Sequence, residues 1–236
     1  MNDLRFDIQI SPQPTETTCG PTCLHSIFKY HGEKRSHQKL IDEITYTETG
    51  GTLGVNLGIN AIKRGFQVDI YSHNLNVFDP TWFKLSKEDM IKKLNAQIQC
   101  KAGSRVSDAS RHYVEFLKKG GAIKYSELTA EFLYETLQTC GPVICGLSAT
   151  YLYMSERERN DTCEFDDING FPQGHFVILS GMSGDLSTVE VSDPLSTNPF
   201  SEERKYQVKT QHLINSILIG VITYDANIMS ITREKE

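Results

Sequence analysis

The stretch Gln13-Pro14-Thr15-Glu16-Thr17-Thr18-Cys19-Gly20-Pro21-Thr22-Cys23-Leu24 decides how this chain is read. Pro14 favours an extended approach, and Leu24, Ile27 and Phe28 then recur at helical spacing, so a helix starts near Cys19. Thr17 or Thr18 is placed to cap it. Pro21 is tolerated in the first turn, where no intrahelical N–H is required, and Gly32 closes the segment. A thiol at a helix N-terminus sits at the positive end of the helix dipole, which favours the thiolate. Cys23 lies one turn further on the same face, which predicts a core residue there and a reactive one at Cys19.

A thiolate nucleophile needs a base, and the base needs an orienting group. Of seven histidines, His25, His31, His37, His73, His112 and His212 fall in helical or turn segments, where packing or surface roles suffice. His175 differs: it opens the strand-like run H-F-V-I-L-S-G-M after the Gly-containing approach from Asn169 to Gly174. The next strand, T-V-E-V-S-D-P, ends in Asp193-Pro194. If the two strands pair across a turn at Gly184-Asp185, His175 and Asp193 become neighbours. Asp185 is the alternative orienter, at the turn end of the same hairpin. Gln13, six residues before Cys19, is placed to offer its amide N–H to an oxyanion beside the backbone N–H of Cys19.

These motifs, with Gly50–Phe66 (G-G-T-L-G-V-N-L-G-I-N-A-I-K-R-G-F), resemble the bacteriocin-processing cysteine peptidases, papain-like enzymes that remove double-glycine leader peptides. V-F-D-P-T-W-F and G-L-S-A-T-Y-L-Y look closest to standalone bacterial relatives without an exporter. The resemblance runs from about Gln13 to Pro194. It implies Cys19 as nucleophile, His175 as general base, Asp193 as orienter and Gln13 as oxyanion donor. Thr18 stands where exporter-linked members usually carry Asp, and the spacer to the His strand is longer.

Away from the motif, the 236 residues are 39% apolar and 23% charged, an ordinary folded composition. No run approaches the roughly 18–20 apolar residues of a membrane span, and the N-terminus lacks a secretory signal pattern. The net charge of -6 without a basic cluster speaks against nucleic acid as partner. Six dispersed cysteines match neither a disulfide framework nor a zinc site, and predict reduced thiols in a cytoplasm. No cofactor or metal is called for; the acidic run through Asp161, Glu164, Asp166 and Asp167 lacks the glycine and closing Glu of a calcium loop.

One domain over 1–236 is expected, α+β and papain-like, with an N-terminal helical half and a C-terminal antiparallel sheet. Helices are predicted around Leu40–Ile44 and at Val55–Arg64, Lys87–Gln99, Asp108–Lys119 and Leu128–Thr139, the last capped near Ser126. Strands are predicted at Phe66–Tyr71, Pro142–Leu147, His175–Gly181, Thr188–Ser192, Tyr206–Val208, Ile217–Tyr224 and Asn227–Ile231. Phe78–Phe83 is expected to pack on the core. Tyr151–Gly174 is expected to form a mobile, net-negative flap whose aromatics Tyr151, Tyr153, Phe165 and Phe171 close over a basic or neutral substrate.

The function expected is hydrolysis of a peptide or isopeptide bond in a peptide or protein substrate through a thioester. Two alternatives stay open: an idle peptide-binding module and a transglutaminase-like acyl transferase.

Overall fold

The computed structural model describes residues 1–47 and 51–233. Gly50, the first residue of the Gly50–Phe66 stretch, lies outside the described residues.

The first half runs β1 (Leu4–Arg5), α1 (Cys19–Tyr30), α2 (His37–Glu43), α3 (Gly54–Ile62), β2 (Gln67–Ser72), α4 (Lys87–Cys100), α5 (Arg105–Lys118) and β3 (Ala122–Lys124). The second half runs α6 (Ala130–Cys140), β4 (Val143–Ser148), α7 (Ala149–Tyr153), β5 (Gly174–Met182), β6 (Thr188–Ser192), β7 (Lys205–Lys209), α8 (Thr210–Ile219) and β8 (Asn227–Thr232). The sheet order is β3-β2-β8-β4-β5-β6-β7, with β1 added along β5. The β2–β3 pair is parallel and the other pairs are antiparallel. The α+β expectation holds.

The central strands read as continuous apolar runs because both faces of the sheet are covered. Ile144, Phe176 and Ile178 join the core beneath α1, α3, α4 and α5. Their neighbours Val143, Cys145, Val177 and Leu179 point the other way, into a core with Leu137 of α6 and Leu213 and Ile217 of α8. Helices therefore cover both faces, and they are less segregated than their order along the chain suggests.

α1 ends as its sequence indicates. Gly32 takes φ +76°, its N–H donates to Lys29 O at 3.0 Å, and Glu33 N–H donates to Phe28 O at 2.9 Å, a Schellman closure. Its start corrects the sequence reading. Thr18 occupies the cap position but makes no side-chain cap. Its hydroxyl instead donates to Thr15 O and accepts from Thr15 N, tying down the approaching turn. The cap of α6 is Thr129 rather than Ser126, with Oγ1 accepting from Phe132 N at 3.1 Å.

The predicted strand Ile217–Tyr224 is also corrected, to the end of α8 and a 3-10 turn at Gly220–Thr223. Its β-branched residues suggested a strand. The buried set Leu213, Ile214 and Ile217 follows the helical period instead, and packing against β4 outweighs residue preference. β1, β3 and α7 are too short to leave a periodic signal.

Phe78 packs on the core as expected, edge-on to Tyr113 at 4.7 Å between ring centres. Among the described residues, no helix is long and apolar enough to cross a membrane.

Candidate active site

Cys19 is the first residue of α1, so its N–H has no intrahelical acceptor, and the residue is 9% exposed. Cys23, one turn on, is fully buried, and its Sγ donates to Phe176 O at 3.3 Å. Burial pushes the Cys23 thiol well up, with Cys19 and Asp193 adding to the effect. Cys23 is the core residue that the spacing predicts.

Antiparallel pairing of β5 and β6 sets Ile178 opposite Ser192, which brings the residue after β6 beside the start of β5. His175 and Asp193 meet there, with His175 Nε2 2.9 Å from Asp193 Oδ1. They are 5% and 0% exposed. The carboxylate accepts three further hydrogen bonds: from Leu195 N to Oδ1 at 2.9 Å, and from Tyr153 and Tyr206 hydroxyls to Oδ2 at 2.7 and 2.6 Å. A buried carboxylate is tolerated when it is satisfied in this way.

Burial opposes the charge on Asp193, but His175, Tyr206 and Tyr153 outweigh it and hold the carboxyl below its usual range. Burial likewise works against an imidazolium. The Asp193 charge, its hydrogen bond and the Cys19 sulfur together overcome that and push His175 up to about 10. With Nε2 committed to Asp193, Nδ1 is the ring nitrogen left for Cys19.

Tyr153 and Tyr206 are the residues that sequence reasoning missed. Tyr206 lies in β7 opposite Val191 of β6, so only the strand register reveals that it neighbours Asp193. Tyr153 ends α7, lines the cleft and donates to Asp193. Tyr151 stacks on His212 at 5.0 Å between ring centres.

Gln13 reaches the same cleft as Cys19 and His175. Its backbone N donates to Pro194 O at 2.9 Å, fastening this loop to the Asp193-Pro194 turn. Its side-chain Nε2 donates to Thr15 O at 3.1 Å, while Oε1 is buried without a hydrogen-bond partner. One amide hydrogen thus remains for a ligand. Asp185 sits in the turn at the opposite end of the hairpin. Its carboxylate accepts from Ser183 Oγ, Ser187 N and Ser187 Oγ, which hold it near 2. Asp185→Asn should leave the His175 titration unchanged when followed by NMR, whereas Asp193→Asn should lower it.

The cleft has a volume of about 1220 Å³. The chain between α7 and β5 forms one wall, through Glu158, Phe165 and Phe171 among others. Glu158 N donates to Phe171 O and Phe171 N to Glu158 O, so this wall has its own ladder. The Phe165 and Phe171 rings remain 63% and 57% exposed. Of the other histidines, His25, His31, His73 and His212 each bond a backbone carbonyl, His37 bonds Thr22 Oγ1, and His112, on α5, does not line the cleft.

A cysteine at a helix start and a buried His–Asp pair, lining one cleft, fit the cysteine-peptidase class. The chain belongs to the Peptidase_C39-like family, whose family model matches residues 5–216. No curated protein matches it.

Solved structures similar to it include a double glycine motif protease from an AMS/PCAT transporter, in complex with the leader peptide. That match has 11% identity and a TM-score of 0.46, covering 99% of each chain. The peptidase domain of Streptococcus ComA matches at 11% identity and a TM-score of 0.44, covering 96% of this chain and 99% of that one. Xylellain, a cysteine protease from Xylella fastidiosa, matches at 12% identity and a TM-score of 0.46, covering 100% of this chain and 87% of that one.

Proposed function

We propose that the chain is a cysteine hydrolase of peptide or isopeptide bonds. The observation that carries this is the buried His175–Asp193 pair opening onto the same cleft as Cys19. The Cys19 sulfur attacks the substrate carbonyl. Gln13 Nε2 and the Cys19 N–H take up the developing oxyanion, and Asp193 holds the imidazole in place. The C–N bond breaks as His175 gives its proton to the departing amine. Water, deprotonated by His175, then attacks the thioester and releases the acid and the thiol. Peptide or protein is the substrate class. The compartment proposed is the cytoplasm, where the exposed thiols of Cys100 and Cys163 stay reduced.

Thiol reactivity tests this. By exposure alone Cys100 and Cys163, both exposed, should react with iodoacetamide before the nearly buried Cys19. Activation reverses that order. Peptide mapping after brief labelling at neutral pH should find Cys19 modified at least tenfold faster than either; Cys19 labelled last would leave an idle peptide-binding module. Mass spectrometry of the acyl-enzyme formed with a peptide library would identify substrate. Products diverted to an added amine would turn the assignment to acyl transfer.

A further inference from the structure

We propose that Asp225 is a specificity-determining residue: the carboxylate on the cleft wall that accepts the guanidinium or ammonium group of a basic substrate side chain. The proposal rests on the cleft being a peptide site, but not on hydrolysis.

Asp225 stands between the 3-10 turn Gly220–Thr223 and β8. It is 7% exposed and lines the cleft with Cys19 and His175. Its Oδ2 accepts one hydrogen bond, from Thr223 Oγ1 at 2.8 Å, and it makes no ion pair among the described residues. Arg105, the nearby cation, is directed elsewhere. Its guanidinium lies over the Tyr224 ring at 4.2 Å and donates to Thr223 O at 3.0 Å.

Burial therefore pushes the Asp225 carboxyl up to about 7, with Thr223, Arg105 and His175 offsetting only part of it. An uncompensated buried carboxylate is unfavourable to the fold unless something binds it.

The backbone on either side of this group is unusual. Tyr224 before it has φ +72° and Ala226 after it φ +20°, values that L side chains rarely adopt. Two glycines clear the space for it. A Cβ on Gly174, the residue before His175, would fall 2.0 Å from Asp225 Oδ2; one on Gly146 would fall 3.0 Å from Asp225 Cβ. A turn role would need only the Asp225 backbone N–H, which donates to Gly220 O at 2.9 Å. It would not require a carboxylate seated beside the residue that precedes the base.

The cleft holds cations as well, Arg105, Arg159 and His175, but two further carboxylates stand beside Asp225. Glu16 and Glu158 make no ion pair among the described residues. Arg159 is committed to Asp161 at 3.2 Å and Asp166 at 3.9 Å. A cation entering the cleft meets three carboxylates that make no ion pair among the described residues, with Arg105 and His175 offsetting only part of the charge on Asp225.

The test is binding, measured by calorimetry at pH 8 and low salt on Cys19→Ala protein, so that no turnover is needed. N-acetyl-argininamide should bind at least tenfold more tightly than N-acetyl-citrullinamide, its neutral near-isostere. Asp225→Asn should bring the two within about twofold, and Gly174→Ala, which displaces the same carboxylate from the other side, should do likewise. Circular dichroism checks both folds, and either variant that folds decides the matter. Equal affinity for the two amides in the Cys19→Ala protein would overturn the proposal, as would a preference that survives in a folded variant. Failure of Cys19 to label would end the hydrolase reading and leave this result standing.

Discussion

Cys19→Ala and His175→Ala should each lower turnover of a fluorogenic peptide amide, selected from a library, by about 10⁴-fold or more. The size follows from how the groups depend on one another. Without the sulfur no thioester forms. Without the imidazole no group remains to move the proton between thiol and amine, because His25, His31, His37, His73 and His212 bond carbonyls or a hydroxyl elsewhere and His112, on α5, does not line the cleft. Since the two residues act in one step, the double variant should fall no further than either single one. Their stability effects should be modest for Cys19→Ala, which loses one small side chain at the cleft edge. Turnover in His175→Ala within tenfold of wild type would remove His175 from the mechanism.

Asp193→Ala should have the largest effect on folding, about 3–5 kcal/mol at pH 5–6. The change strands a buried imidazole and removes the acceptor of two tyrosine hydroxyls and the Leu195 N–H. Asp193→Asn should cost less, since an amide oxygen can face His175 and Leu195 while the two hydroxyls rotate to accept from the amide N–H₂. The pH dependence carries a sign. Asp193, held below its ordinary 3.8, contributes stability that is present above that value and lost as pH falls through its lowered range. His175, raised from an ordinary 6.5 to about 10, contributes stability that is full below 6.5 and lost as pH rises through about 10. The gap between wild type and Asp193→Ala in urea titrations should therefore be widest between pH 3.8 and 6.5 and narrow towards pH 10. A constant gap across that range would mean that the pair is not an ion pair in the folded protein.

The sequence carried the elements whose chemistry is local. The start of α1 at Cys19 is legible from the Pro14 approach and the apolar period that follows, and its end from Gly32. The hairpin of β5 and β6 is legible from two strand-like runs on either side of Gly184-Asp185, the first apolar throughout and the second alternating, and with it the meeting of His175 and Asp193. Asp185 and Asp193 could both be proposed from one sequence, because each sits at a turn beside Ser, Gly or Pro. The register of β5 on β6 separates them by sending one to each end of the hairpin. The Ile217–Tyr224 segment failed as a strand because a short β-branched run has no period of its own. Its burial against β4 chose the helix.

By itself, then, the sequence determined a thiol at a helix start, a base at a strand start and a carboxylate at the end of the next strand. Each depends on residues close together in the chain. Tertiary structure alone decided what surrounds them. Tyr206 reaches Asp193 only through pairing of β7 with β6, and Tyr153 only because α7 turns back on the sheet. Asp225, fifty residues beyond His175, comes beside Gly174 only because β8 joins β4 and two glycines leave it room. Cross-strand neighbours are set by register and by the volume left between packed elements, and neither quantity is written in any local stretch of the chain.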